Sequence, residues 1–167
     1  MEISKGLEKI MNEQINHEFS SSYIYLSMCA HFQQEGLNGF ASWMEKQSDE
    51  EVTHGMKFFN FINERGGKVA LALITAPKIG WKSALEAFED AYKHEQKVTS
   101  LIYKIKDMAQ SEKDHAADEF LDWFVMEQVE EEKQTAEIVQ KLKMIGDSKH
   151  ALLMLDAELG KRMDEKE

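Results

Sequence analysis

The chain contains few of the residues that interrupt helices or cross-link a fold. Its 167 residues include one proline and one cysteine. A single cysteine excludes an intramolecular disulfide framework, and scarce proline leaves long stretches free to be helical. No apolar run is long enough to cross a membrane, and the polar N-terminus lacks the apolar region of a secretory signal. We expect one domain over residues 1–167, cytoplasmic and without a membrane partner.

Basic residues are also in the minority. Lys and Arg total 20 against 31 Asp and Glu, which gives a formal net charge of -11. Sequence-independent binding to DNA or RNA depends on Lys and Arg contacts to phosphate, so we expect no nucleic-acid partner. A surface this acidic is compatible with attracting cations.

Apolar residues recur every three or four positions, which is the period of an amphipathic helix. The pattern predicts helices over residues 4–35, 39–65, 83–111, 114–145 and 148–160. Ser83 followed by Glu86 forms a capping-box pattern for the third helix, and Asp114 is a suitable N-cap for the fourth.

The segment from Gly66 to Lys82 has no helical stripe. It contains Pro77, Gly80 and the apolar run Val69–Ala76. The other connections are short, so the first and second helices, and the third and fourth, should form antiparallel hairpins. One long crossover between two hairpins is a known bundle topology. The predicted fold class is all-α, a four-helix bundle with one long crossover and a short C-terminal fifth helix.

Polar side chains interrupt each of the four apolar stripes near its midpoint. They are Glu18 on the first helix, Glu51 and His54 on the second, Glu95 on the third, and Gln128 and Glu131 on the fourth. An ionised carboxylate in a core is costly unless it is paired or bound to metal. Helix midpoints meet at one level of a bundle, so these residues should converge. Carboxylates with one imidazole favour iron or another oxygen-preferring transition metal.

Other residues near these positions are open to two interpretations. Glu50, Glu127 and Glu130 lie one position off the stripes, and they form either a flanking cation site or a solvated acidic face. Tyr25 is either an ordinary core residue or a group that donates a hydrogen bond to a ligand carboxylate, or an electron to the metal site. Cys29 is expected to be a small core residue.

The assembled motifs resemble those of bacterial non-haem ferritins. They include NEQINHEFSSSYIYLSM around Glu18 and Tyr25, WMEKQSDEEVTHGMKF around Glu51 and His54, YKHEQKVT around Glu95, and FLDWFVMEQVEEE around Gln128 and Glu131. The resemblance covers nearly the whole chain.

This resemblance implies a ferroxidase centre. By motif match, Glu18 and His54 would hold one iron, and Glu51 would bridge it to a second. Glu95 and Glu131 would complete the ligands of the second iron.

The resemblance also implies further parts of the site. Gln128 matches the position that contacts the oxidant or a ligand water. Glu50, Glu127 and Glu130 match an acidic third iron site. The implied reaction is oxidation of Fe(II) to Fe(III) by O2 or H2O2, followed by storage as a ferric oxyhydroxide mineral, without haem.

The family assembles as a hollow homo-oligomeric cage of twenty-four subunits. The fifth helix would pack near a four-fold axis. We expect this helix to expose Leu152, Leu153 and Leu155, and such exposure favours burial in an interface.

Several related proteins match the sequence less well. Haem-containing bacterioferritins carry Met after the bridging Glu and a second Glu-x-x-His, whereas here Val52 follows Glu51 and Gln134 stands three residues after Glu131. DNA-protecting mini-ferritins lack the fifth helix. Di-iron oxygenases and rubrerythrins usually offer a second imidazole ligand. A metal-free helical interaction protein would have no need for acids in its apolar stripes.

Overall fold

The computed structural model describes residues 2–162, which contain five helices and no strand. They are α1 (Lys5–Gln34), α2 (Asn38–Glu64), α3 (Ala84–Ser111), α4 (His115–Ile145) and α5 (Lys149–Leu159). Each end lies within one residue of its prediction, so the all-α fold class is confirmed. None of these helices combines the length and apolar character needed to span a bilayer.

Side-chain caps fix the starts of the helices. The hydroxyl of Ser83 accepts a hydrogen bond from the backbone N–H of Glu86 at 3.1 Å, and Asp114 accepts one from Ala117 at 3.0 Å. Both predicted caps are therefore confirmed. The capping box is modified, however, because the Glu86 carboxylate reaches back to the N–H of Lys82 rather than to that of Ser83.

Contacts between helices define the direction of each one. Ser22 faces Ser48 across α1 and α2, and Ile3 donates to the carbonyl of Arg65 near the other end of this pair. These two helices therefore run antiparallel, and ion pairs along α3 and α4 give the same orientation there.

The two hairpins are arranged so that α1 runs antiparallel to α3, with Tyr25 beside Glu95 and Gly6 beside Glu112. It follows that α2 and α3 run in the same direction. The chain leaving α2 must therefore return along the whole bundle before α3 can begin.

The crossover makes this return along the exposed side of α1. The Asn12 amide donates to the carbonyl of Lys68 at 2.9 Å, and the Ser27 hydroxyl donates to that of Lys78 at 2.6 Å. The predicted crossover is thus confirmed. It leaves large apolar side chains exposed: Leu71 at 67%, Leu73 at 83% and Ile79 at 87%.

The apolar core forms two clusters, with a polar layer between them. One cluster includes Phe32, Phe40 and Phe88, and it also buries Cys29, as predicted. The other includes Phe58 and Phe124, whose ring centroids lie 4.3 Å apart. Along α1, residues of one cluster precede the polar positions and residues of the other follow them.

The fifth helix packs on its own bundle. Leu155 is only 4% exposed, and the Asp156 carboxylate accepts a hydrogen bond from the N–H of Phe40 at 2.8 Å. The prediction that Leu152, Leu153 and Leu155 are all exposed was therefore wrong for Leu155, and Leu152 is partly buried. Folding back over the start of α2 buries this side chain, while Leu153 stays 58% exposed.

The contact between α5 and α2 depends on the small size of Gly39. A Cβ added there would lie 1.7 Å from the carbonyl oxygen of Asp156. Gly39→Ala should therefore destabilise the protein by about 1–3 kcal/mol through overpacking, although Ala is the better helix former. Thermal melting and hydrogen exchange of the α5 amides should both report the change.

Gly80→Ala is the matched control, because a Cβ there meets no atom within 4 Å. An unchanged melting temperature in Gly39→Ala, together with unchanged exchange in α5, would contradict this packing.

Candidate metal centre

All six side chains that interrupt the apolar stripes lie in the layer between the two core clusters. Glu18, Glu51, His54, Glu95, Gln128 and Glu131 are each no more than 4% exposed. The four helices therefore bring together residues that are far apart in sequence.

Glu18, Glu51 and His54 form the first group that could hold a metal ion, with one potential ligand atom of each within 4.8 Å of the others. His54 Nδ1 lies 3.5 Å from Glu51 Oε2, and the Gln14 amide donates to Glu18 Oε1 at 2.8 Å. Apart from a proton that the two carboxyl groups can share, no described residue donates a hydrogen bond to Glu18 Oε2 or Glu51 Oε2. Buried carboxylate oxygens need a partner, and a shared proton or a cation could supply it here.

A second group consists of His54, Glu127 and Glu131, again with ligand atoms within 4.8 Å. His54 Nε2 lies 3.9 Å from Glu127 Oε1, and the Gln47 amide donates to Glu131 Oε2 at 2.8 Å. His54 thus has one ring nitrogen toward each group.

Glu95 belongs to neither group. The Tyr25 hydroxyl donates to Glu95 Oε1, and the Gln128 amide donates to Glu95 Oε2 at 3.2 Å. Tyr25 is therefore more than a packed aromatic residue, because its hydroxyl contacts a predicted ligand. Gln128 contacts Glu95 and, at 3.3 Å, the Thr99 hydroxyl, and its contact with an oxidant or a ligand water stays a prediction.

The three flanking acids lie in different surroundings. Glu127 belongs to the second group, whereas Glu50 accepts two hydrogen bonds from Arg162, at 2.9 and 2.7 Å. Glu130 is exposed. Among residues 2–162, these three acids do not form a group with ligand atoms within 4.8 Å of one another. A third metal site built from them stays a prediction.

Burial changes the ionisation of the carboxyl groups. It raises the pKa of Glu51 and of Glu131 well above the usual range, and it raises the pKa of Glu18. Burial also raises the pKa of Glu95 to about 7, against the opposing hydrogen bonds from Tyr25 and Gln128. Removal from water disfavours the charged form of each acid, so the metal-free layer retains protons near neutral pH.

Burial has the opposite effect on the imidazole. It lowers the pKa of His54 to about 4, with a smaller contribution from the nearby positive charge of Lys57. The ring is therefore neutral at physiological pH, and neutral imidazole is the form that binds metals.

Residues that support the site were missed by the sequence reasoning. Gln14 is buried one helical turn before Glu18 and directly precedes Ile15 of the apolar stripe, so a stripe one position wider would have found it. Thr99 bonds both Gln128 and Glu132, and it lies one turn after Glu95. No periodic signal identifies Arg162, because it lies beyond the last helix.

Comparison with known proteins identifies the family to which the chain is similar. The profile described as "Ferritin: Ferritin-like domain" matches residues 8–145. The chain is similar to a bacterial non-heme ferritin of Staphylococcus aureus, at 39% identity over 165 residues, covering 99% of each chain. It is 43% identical to a bacterial non-heme ferritin of Bacteroides fragilis over 160 residues, covering 96% of this chain and 99% of that one.

Solved structures agree. An open pore ferritin from the archaeon Archaeoglobus fulgidus has a TM-score of 0.95 and 48% identity, covering 96% of this chain and 99% of that chain. A humanized archaeal ferritin has a TM-score of 0.97 and 48% identity, covering 98% and 99%. These relatives support iron storage and iron oxidation as the general function. The chain belongs to the ferritin family, because the family profile matches most of the chain and the relatives match it over nearly their full length.

Proposed function

We propose that the buried layer is a ferroxidase centre, and that the protein oxidises Fe(II) and stores the product as a ferric oxyhydroxide mineral. The observation that carries this proposal is the pair of buried oxygens Glu18 Oε2 and Glu51 Oε2, to which no described residue outside the pair donates a hydrogen bond. They lie beside a neutral imidazole, so the donor set suits a cation that prefers oxygen and nitrogen ligands.

Each ligand has a defined part in the proposal. Glu18 and His54 hold one Fe(II), Glu51 bridges it to a second, and Glu95 and Glu131 complete the second set. Anionic oxygen ligands stabilise Fe(III) over Fe(II), because the higher charge gains more from each carboxylate. Each iron loses one electron. The pair reduces O2 and two protons to H2O2, or H2O2 and two protons to two waters.

Two neighbouring residues prepare Glu95 for this role. The Tyr25 hydroxyl and the Gln128 amide hold its carboxylate in the metal-free layer. For Glu95 to bind the second iron, these hydrogen bonds must loosen and its proton must leave. Tyr25 and Gln128 thus keep a ligand with a pKa of about 7 in place until the metal arrives.

We also propose that the protein forms a closed shell of twenty-four subunits around the mineral. The exposed apolar side chains Leu71, Leu73 and Ile79 support self-association, because an interface between subunits would remove their surface from water. A centre without haem is supported by Val52, because haem-containing bacterioferritins carry Met at the position after the bridging Glu. A cytoplasmic location remains a prediction from the sequence. A protein that stays monomeric in light scattering and binds no Fe(II) would rule out this proposal.

Removing either first-group ligand should slow oxidation. In Glu18→Ala and His54→Ala, the initial rate of Fe(III) formation should fall by about tenfold or more, because each loses a ligand to the first iron. The measurement is the growth of near-ultraviolet absorbance after Fe(II) is added in air. Glu13→Ala changes an exposed acid on the same helix and should match the unsubstituted protein. Unchanged rates in both site variants would refute the ligand assignment.

Metal binding should displace protons, and the number displaced should depend on pH. Below pH 7 the Glu95 carboxyl keeps its proton in the metal-free protein, because its pKa is about 7. Anaerobic Zn(II) binding, followed by calorimetry in buffers of different ionisation enthalpy, should release more protons at about pH 6 than at about pH 8.

The variant Glu95→Gln should release about one proton fewer per site at the lower pH. Asp107→Asn alters an exposed acid on the same helix and should leave the count unchanged. Binding heats that do not vary with the buffer would contradict a protonated layer.

A further inference from the structure

The chain returns to the metal layer after its last helix. Two residues beyond Gly160, the Arg162 side chain turns toward α2, and only 13% of it is exposed. Its guanidinium donates to both carboxylate oxygens of Glu50, at 2.9 and 2.7 Å, and to the side-chain oxygen of Gln47.

Further contacts hold the same residue against α2. The guanidinium carbon of Arg162 lies 5.1 Å from the ring centroid of Trp43, which is within the range of a cation–π contact. The Lys46 ammonium donates to the carbonyl oxygen of Arg162. Backbone and side chain are therefore both bound, which distinguishes Arg162 from a solvated terminal residue.

The guanidinium lies one side chain away from a predicted iron ligand. Gln47 accepts a hydrogen bond from Arg162 through its amide oxygen and donates to Glu131 Oε2 at 2.8 Å through its amide nitrogen. The positive charge also lowers the pKa of Glu131, against the larger effect of burial. Arg162 thus places a positive charge at the outer edge of the layer.

A guanidinium and a metal ion would compete for Glu50. Arginine stays charged at every physiological pH, and the Nη2 nitrogen of Arg162 donates to both oxygens of that carboxylate. A divalent cation binding there would need the same oxygens. Because Arg162 is tethered three residues after the end of α5, its effective concentration at Glu50 is high.

We propose that Arg162 is the resident cation of the outer acidic position at Glu50, and that a metal ion binds Glu50 only when the Arg162 side chain moves away from it. This inference rests on the proposed function in one respect, because the competing ion would be Fe(II) on its way to or from the inner pair. In the resting protein, Arg162 confines tight metal binding to the inner ligands and, through Gln47, holds Glu131 toward them.

Anaerobic titration with Zn(II) tests the proposal on the assembled protein, with calorimetry and metal analysis as readouts independent of oxidation. Arg162→Ala should bind Zn(II) at the outer position at least about tenfold more tightly than the unsubstituted protein does. The reason is that the positive charge of the guanidinium no longer competes for Glu50. Arg162→Gln should show the same gain, which guards against a folding defect in one variant.

Two further variants assign the gain to its cause. Lys161→Ala removes the same charge from the neighbouring exposed residue and should bind metal like the unsubstituted protein. Adding Glu50→Gln to Arg162→Ala should abolish the gain. An outer affinity that stays unchanged in both Arg162 variants would overturn the proposal, as would a gain that survives loss of Glu50.

Zn(II) binding at the inner ligands is measured with a separate variant. Zn(II) binding that is lost in Glu18→Ala reports on the inner ligands and hence on the proposed function. If that variant binds as the unsubstituted protein does, the ferroxidase assignment fails, whereas a Glu50-dependent gain in Arg162→Ala would still support the competition at the outer position.

Discussion

The rest of this structure depends on the carboxyl groups that are buried at the middle of the bundle. Glu18, Glu51, Glu95 and Glu131 are each at most 3% exposed, and burial raises the pKa of all four. Such a cluster can exist only if its charge is cancelled by protons or cations and the surrounding fold supplies the stability that the layer does not. The two apolar clusters on either side meet the second requirement.

The hydrogen bonds within the layer orient these acids without neutralising them. The donors are neutral groups: the amides of Gln14 to Glu18, Gln47 to Glu131 and Gln128 to Glu95, and the Tyr25 hydroxyl, also to Glu95. A neutral donor fixes the direction of a carboxylate yet leaves its negative charge available to a cation, whereas an ammonium or guanidinium would cancel that charge. Arg162 lies at the edge of the layer, where it pairs with Glu50 and reaches Glu131 only through Gln47.

Much of the fold and the membership of the layer could be predicted because both depend on local patterns. Helix ends follow from the 3.6-residue period and from capping residues such as Ser83 and Asp114, whose side chains bond backbone groups a few residues away. The acids were found because a charged residue in an apolar stripe is conspicuous. The exposure of Leu155 was predicted wrongly, since it depends on where α5 packs after the chain turns at Gly146.

The sequence by itself determined that the six predicted polar residues lie in the layer, because helical periodicity and similar helix lengths bring stripe midpoints to one level. Only the tertiary structure decided how their side chains are directed. Glu95 turns to Tyr25 and Gln128, and Glu50 pairs with Arg162 rather than joining Glu130. The physical reason is that the hydrogen-bond partners come from other helices and from Arg162 after α5, all distant in sequence. No periodic pattern predicts their positions.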